Sequence, residues 1–385
     1  GRLRRGYATS AMSTTDLPQP DQIEGAPHPR ETQNLLGQTA AQGAFLEAFN
    51  SGRLHHGWLI TGPKGVGKAT LAWQIARFLL ATPLTQDDGL FGAPPPPDSL
   101  HISPDHPVAR RILAQSEPGL FHITRSYNDK TKKLRDQIVA DDVRRLNGFL
   151  QMSAADGGRR VVIIDSADEM NTQAANALLK MLEEPPARTT LLLISHQPSR
   201  LLPTIRSRCR ELRLHSLSPQ IMAQALEQAQ IVAPTEPSAL AALAALAAGS
   251  VGEAIRLINL DGLAIYAELV ALYDGLPRLD RARAVQFANA AAGASAARQD
   301  LLFHLNDLFL ARLARCGALG LPPNPAAAPA EAQLMARLAP DAQKARAWAE
   351  LAQAINARIT HGRAVNLDPA SLLLDTVFRI QKTAT

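Results

Sequence analysis

Residues 58–70 read Trp58-Leu59-Ile60-Thr61-Gly62-Pro63-Lys64-Gly65-Val66-Gly67-Lys68-Ala69-Thr70. A short apolar run leads into glycines. The residues after it are helix-periodic, with Leu71, Ile75, Phe78 and Leu79 on one stripe. The stretch therefore predicts a strand, a glycine loop and a helix. In that context the spacing from Gly62 to Lys68 matches the phosphate-binding loop through its lysine. Glycines let backbone N–H groups converge on phosphate oxygens, and the helix N-terminus adds positive potential. Lys68 is expected to reach the β- and γ-phosphates of ATP or ADP. Gly62, Pro63, Lys64, Gly65, Val66, Gly67, Lys68, Ala69 and Thr70 are the candidate nucleotide-binding residues. The pattern wants a hydroxyl after the lysine, because that oxygen ligates Mg²⁺. Ala69 has none, and Thr70 lies about 100° further round a helix. The expectation is a nucleotide site degraded for metal.

Working outward, Val161 to Ile164 are four apolar β-formers that end at Asp165, as expected of a strand buried on both faces. Asp165 would sit at the strand's C-terminal edge, placed to hold Mg²⁺ through water. A hydrolysing site of this kind carries Glu next, to orient the attacking water. Here Ser166 follows, and its hydroxyl is a poor base at neutral pH. Asp168 and Glu169 read as a solvated turn approaching the next helix. Asn171 is a candidate cap for a helix whose inner face carries Ala174, Leu178, Met181 and Leu182, with Pro185-Pro186 as the stop. Leu191 to Ile194 reads as another buried strand, with Ser195 or His196 just beyond it.

Strands alternating with helices predict a parallel α/β sheet. Before the phosphate loop, a helix is expected from Glu31, with Leu35, Ala40, Phe45, Leu46 and Phe49 near one face and Ser51-Gly52 as its end. Residues 12–30 are polar and Pro-rich and read as a tail. Residues 82–105, with Pro94 to Pro97, read as an exposed insertion. Beyond Leu214 only helices are expected, with Leu321 to Pro329 linking two of them. Residues 1–11 hold three arginines and no acid. They read as upstream sequence or, alternatively, a mitochondrial presequence.

The chain has 385 residues, 46% hydrophobic and 19% charged, which suits two to three globular domains and excludes wholesale disorder. Aromatics at 4% and an Ala/Leu-rich apolar content favour helical layers. No apolar run is long enough to span a bilayer, so no membrane partner is expected. Two cysteines, Cys209 and Cys316, make neither a disulfide framework nor a four-cysteine zinc site, and a reducing cytoplasm fits them. The +5 net charge permits contact with nucleic acid without demanding it. Basic residues between Arg110 and Arg160 could track a phosphate backbone, but acids interrupt them and a solvated charged face is the simpler reading. His101, His106 and His122 lack metal spacing and read as loop residues.

Four segments together resemble the AAA+ sliding-clamp loaders over roughly residues 29–260. They are Gly52-Arg53-Leu54-His55-His56-Gly57-Trp58 with the phosphate loop; Asp165-Ser166-Ala167-Asp168-Glu169-Met170-Asn171; Asn176-Ala177-Leu178-Leu179-Lys180-Met181-Leu182-Glu183-Glu184-Pro185-Pro186; and Leu202-Pro203-Thr204-Ile205-Arg206-Ser207-Arg208-Cys209. The resemblance implies a RecA-like P-loop domain at 29–214, a helical lid at 215–272 and a helical collar at 273–385, after a disordered tail or upstream extension at 1–28. Ser207-Arg208-Cys209 matches the family's arginine-finger triplet, with Arg208 on the surface after the last sheet strands. It would point into the neighbouring subunit's nucleotide site. Arginine suits that task because its guanidinium is always charged and contacts two oxygens at once.

The departures imply a division of labour. Ala69, Ser166 and Gly252, at the position where hydrolysing members carry a lid arginine, all lack groups used for hydrolysis. The four-cysteine zinc module of many bacterial members is missing, so no metal site and no zinc are expected. The resemblance thus implies a bacterial, cytoplasmic ring subunit whose own ATPase is impaired. It would join gamma/tau motor subunits and a delta subunit in a five-membered ring that loads the sliding clamp on primer-template DNA during replication. DNA polymerase (nucleotidyltransferase) activity would come only through membership of the polymerase III holoenzyme. The alternative is an autonomous P-loop ATPase of the gamma/tau motor type, which Lys68 and Asp165 favour.

Overall fold

The computed structural model describes residues 19–82, 84, 95–152 and 158–385. Residues 1–11 and part of the proline-rich insertion lie outside them. The described chain forms two compact units, one taking Pro27–His215 and the residues up to Ile23, the other Glu24–Ala26 and Ser216–Thr385.

The first unit runs α1 (Thr39–Asn50), β1 (Gly57–Thr61), α2 (Lys68–Ala81), α3 (Pro107–Leu113), β2 (Leu120–Ile123), β3 (Tyr127–Asn128), β4 (Lys133–Leu134), α4 (Ala140–Met152), β5 (Arg160–Asp165), α5 (Thr172–Glu183), β6 (Thr189–Ile194), α6 (Pro203–Arg206) and β7 (Arg210–Arg213). Five strands form one parallel sheet in the order β2-β5-β6-β1-β7, and β3 and β4 form a small antiparallel pair. Every residue of β1, β5 and β6 is buried, because helices cover both faces. On one face α1, α2 and α3 pack on Trp58, Ile60, Val161, Ile163, Leu192 and Ile194. On the other, α4, α5 and α6 pack on Leu59, Val162, Ile164, Leu191 and Leu193. The α2 stripe of Leu71, Ile75, Phe78 and Leu79 is buried as the periodicity predicts. Asn171 caps α5 by accepting from the Ala174 N–H at 2.8 Å.

Several expectations need correction. The helix expected from Glu31 begins only at Thr39. Gly37 has φ +74°, which breaks the right-handed run. Ala40 is exposed, and Ala41, Phe45 and Ala48 face the core instead. Within residues 19–28, read as tail, the side chains of Asp21 and His28 are buried, at 4% and 1% exposed, and the His28 ring lies 5.7 Å from that of Trp73. His122, read as a loop residue, stands on β2. β7 was not expected as a strand. Its sequence Arg-Glu-Leu-Arg buries only Leu212, as suits the sheet's edge.

The second unit is helical: α7 (Pro219–Gln228), α8 (Pro237–Ala247), α9 (Val251–Asn259), α10 (Gly262–Tyr273), α11 (Arg281–Ala292), α12 (Ala296–Leu319), α13 (Glu331–Leu338), α14 (Ala342–Ala364) and α15 (Pro369–Ala384). The two helical segments distinguished in the sequence share one cluster of buried side chains, from Met222 and Leu226 to Val377 and Ile380. Two buried polar pairs sit within it. Tyr266 donates to Glu331 at 2.6 Å and Tyr273 to Asn306 at 2.6 Å. Among the described residues no single helix is long and apolar enough to cross a membrane.

Candidate nucleotide pocket and the exposed arginine turn

The phosphate loop joins β1 to α2 as the sequence predicts. Two glycines are required by geometry. Gly62 has φ +138°, and a Cβ there would lie 2.5 Å from the Leu214 carbonyl oxygen; Gly67 has φ +102°, and its Cβ would lie 2.5 Å from Leu35 Cδ1. Pro63 and Lys64 are exposed, Val66 is buried, and Gly65, Ala69 and Thr70 are half-buried. Lys68 is 3% exposed, and its Nζ donates to the Gly62 and Pro63 carbonyls at 2.7 and 2.5 Å. Burial lowers its pKa to about 8, against the opposing pull of the Asp165 and Asp168 carboxylates. Gln38 was not singled out by the sequence. Its side chain donates to Val66 O at 3.3 Å and His215 O at 2.7 Å and accepts from His215 N–H at 3.1 Å, stitching the loop to the chain beyond β7.

Asp165, at the end of β5, is 8% exposed. Burial raises its pKa to about 7, helped by the nearby Asp21 carboxylate and opposed by the Ser166 hydrogen bond and Lys68. Ser166 Oγ donates to Asp165 Oδ1 at 3.1 Å and lies 2.9 Å from His196 Nε2. Since the hydroxyl proton goes to Asp165, the imidazole Nε2–H donates to Ser166. Burial, followed by the charge of Lys68, lowers the His196 pKa to about 4, so this ring is neutral at pH 7. Of the two residues considered beyond β6, His196 therefore reaches the carboxylate cluster. Ser195 is fully buried, and its hydroxyl has no partner.

Asp168 is not a solvated turn residue. It is 8% exposed and accepts from the His196 and Gln197 N–H groups at 3.1 and 3.3 Å, clamping the loop after β6. Glu169 turns away to pair with Arg125 at 2.8 Å. Ala69 offers no side-chain oxygen at the position after Lys68, and the Ser166 hydroxyl is engaged by Asp165 and His196.

Arg208 stands on the turn between α6 and β7, so it precedes the last strand of the sheet rather than following it. Its guanidinium is 36% exposed, donates to Thr204 O at 3.0 Å and pairs with Glu183 Oε1 at 2.9 Å. Ser207 Oγ donates to Thr204 O at 3.1 Å, which tightens the turn. Cys209 points inward. Burial pushes its thiol up to about 12, so it is not a nucleophile at neutral pH. A Cβ on Gly57 would lie 2.9 Å from Leu182 Cδ2 and 3.3 Å from both Cys209 Sγ and the Arg208 carbonyl, so the turn packs closely against β1 at this glycine.

Gly252 lies in the first turn of α9, which Ser250 caps by accepting from the Glu253 N–H at 3.0 Å. Much of the basic stretch is neutralised locally: Arg110 pairs with Asp105, Arg111 with Glu117, Arg144 with Asp141 and Arg145 with Asp142. His106 caps α3 through the Val108 N–H, and His101 is exposed.

Residues 37–218 match the family described as DNA polymerase III, delta subunit. The chain is 42% identical over 154 residues to DNA polymerase III subunit delta' of Pseudomonas aeruginosa, covering 40% of this chain and 41% of that protein. It is 34% identical over 176 residues to subunit delta' of Escherichia coli K12, covering 46% of each. The chain thus matches less than half the length of these curated relatives. Among solved structures, a gamma subunit-related protein of Thermotoga maritima superposes with TM-score 0.43 at 16% identity, covering 89% of this chain and 100% of that one. Residues 37–218, which hold the parallel sheet and its phosphate loop, are thus the part of the chain that is similar to the DNA polymerase III delta subunit family and to the delta' relatives.

Proposed function

We propose that the chain is a delta-prime-like stator of a bacterial clamp loader. It would work in the cytoplasm beside gamma/tau and delta subunits in a five-membered ring, and its Arg208 would complete a neighbour's ATP site. ATP binding in the ring would open the sliding clamp, and hydrolysis on primer-template DNA would release it. The observation that carries this reading is an asymmetry. The chain's own pocket lacks the Ala69 hydroxyl and the carboxylate after Asp165, while Arg208 is offered on an exposed turn. A guanidinium held at a surface turn suits developing phosphoryl charge supplied from outside the chain. Residual binding of ATP or ADP through Gly62 to Thr70 and Asp165 is compatible with this role, because the loop and Lys68 are intact. The three-part division at 214/215 and 272/273 belongs to the same proposal.

The test is reconstitution with cognate gamma/tau and delta subunits. The wild-type ring should show clamp- and DNA-stimulated ATPase, and the Arg208→Ala ring should assemble but turn over at least about tenfold more slowly. The isolated chain should hydrolyse ATP negligibly. Turnover by the isolated chain that Lys68→Ala abolishes would favour the autonomous gamma/tau-type ATPase instead.

A further inference from the structure

One side-chain cluster reaches beyond the proposed nucleotide pocket and shares only Asp165 with it. The parallel register of β2 and β5 sets His122 opposite Ile163, two residues before Asp165. Side chains alternate along a strand, so His122 and Asp165 share the face covered by α2. Trp73 of α2 lies edge-on to His122 with ring centroids 4.9 Å apart. The segment before α1 then closes over this corner. It brings in Asp21, whose side chain is 4% exposed, and His28 at 1%. One donor atom from each of Asp21, His122 and Asp165 falls within 4.8 Å of the other two, and His122 Nε2 lies 3.4 Å from Asp21 Oδ2. We propose that Asp21, His122 and Asp165 form a binding site for one divalent transition-metal ion of the zinc class, with His28 positioning Asp21.

Each group's chemistry supports this assignment. His122 Nε2 is buried and makes no hydrogen bond. His28 is different. Its Nδ1 accepts the Arg30 N–H at 3.1 Å, so in the neutral ring the proton sits on Nε2, 2.8 Å from Asp21 Oδ2. His28 is therefore placed as a close partner of the carboxylate that positions it, and not as a ligand. Two carboxylates and an open imidazole give a mixed O/N donor set, which favours zinc, cobalt or manganese over Mg²⁺. A bound dication would also bridge the charges of the Asp21 and Asp165 carboxylates, whose oxygens the fold sets within 4.8 Å of each other. Tetrahedral ligands about 2.0–2.2 Å from an ion lie about 3.4 Å apart, so side-chain rotation of about an ångström closes the site around the metal. The fourth position is left to water. This site uses no cysteine, so the cysteine count that argued against zinc does not bear on it. It is also independent of whether Arg208 acts on a neighbour.

The test uses the full chain without a histidine tag, stripped with chelator and titrated with Co²⁺ at pH 8. A visible d–d absorption saturating at one equivalent is expected, displaced by Zn²⁺ and not by excess Mg²⁺. Asp21→Asn, which keeps the side chain's shape, and His122→Ala should each weaken Co²⁺ binding at least tenfold. His28→Ala should weaken it about 10–100-fold as an orienting residue. His106→Ala, a helix-cap histidine elsewhere, should leave the titration unchanged. Because His122→Ala also removes packing on Trp73, every variant is read by circular dichroism, and Asp21→Asn decides if His122→Ala unfolds. Absence of a saturable band in the wild type would overturn the site, leaving a metal-free carboxylate pair. So would a band that survives in Asp21→Asn.

Discussion

Arg208 Nη2 lies 2.9 Å from Glu183 Oε1, and the two side chains are 36% and 45% exposed. The arginine proposed to serve a neighbour is thus held by a carboxylate of its own chain, at the end of α5. A half-solvated pair of this kind contributes about 0–1 kcal/mol, so a more demanding anion can take the guanidinium away. Glu183 both orients Arg208 at rest and competes for it. Glu183→Gln should leave the denaturation midpoint of the chain within about 1 kcal/mol of wild type. In the reconstituted ring it should not lower ATPase as Arg208→Ala does. If Glu183→Gln slowed the ring as much as Arg208→Ala, the carboxylate would be part of the working site rather than a resting partner.

The Asp165 carboxyl gives a pH signature. Its pKa is near 3.8 in the unfolded chain and about 7 when folded, raised chiefly by burial. Between these values the folded state holds the extra proton, so this group's contribution to stability falls as pH rises from about 4 to about 7 and is flat above. Asp165→Asn removes the effect. Relative to wild type, the variant should gain on the order of 2–4 kcal/mol between pH 4 and pH 8. Urea unfolding in chelator at both values measures it, and a pH-independent difference would contradict the buried, raised carboxyl.

Gly62 is the tightest point of the phosphate loop, with the Leu214 carbonyl where a Cβ would be. Neither that backbone oxygen nor the φ of +138° can yield cheaply. Gly62→Ala should cost about 1–3 kcal/mol and weaken any binding of ATP or ADP. Gly148→Ala, inside α4 where a Cβ meets nothing within 4 Å, is the control and should instead stabilise by about 0.5–1 kcal/mol. Thermal melts and equilibrium nucleotide binding read the two effects.

The helical unit depends on a buried charge. Glu331 is fully buried, and it accepts from Tyr266 at 2.6 Å, from Arg312 at 2.8 and 3.1 Å and from the Ala327 N–H at 2.5 Å. Glu331→Ala strands Arg312 and should cost about 3–5 kcal/mol. The double change Glu331→Ala with Arg312→Met should recover part of that loss, because the unpaired cation is then gone. A double-mutant cycle in urea checks this.

Where one segment of chain holds all the determinants, the sequence was legible. The P-loop, the α2 stripe, the Asn171 cap and the two central strands are local patterns, and the structure forms each of them. Edge elements were not legible. β2 contains His122, and β7 is three-quarters charged. A strand paired on one side needs few apolar residues, so its pattern resembles a loop. Gln38 left no signal either, since its three hydrogen bonds run to residues 28 and 177 positions away.

By itself the sequence determined the phosphate loop, the missing hydroxyl at Ala69, the serine after Asp165 and the similarity of residues 37–218 to the DNA polymerase III delta subunit family. These are statements about residue identity at fixed spacing. Tertiary structure alone decided that Asp168 clamps the β6 loop, that Arg208 rests on Glu183, and that Asp21, His28 and His122 gather beside Asp165. Those groups lie far apart along the chain. Only parallel strand register and the burial of apolar faces bring them together, and spacing in sequence carries no record of either.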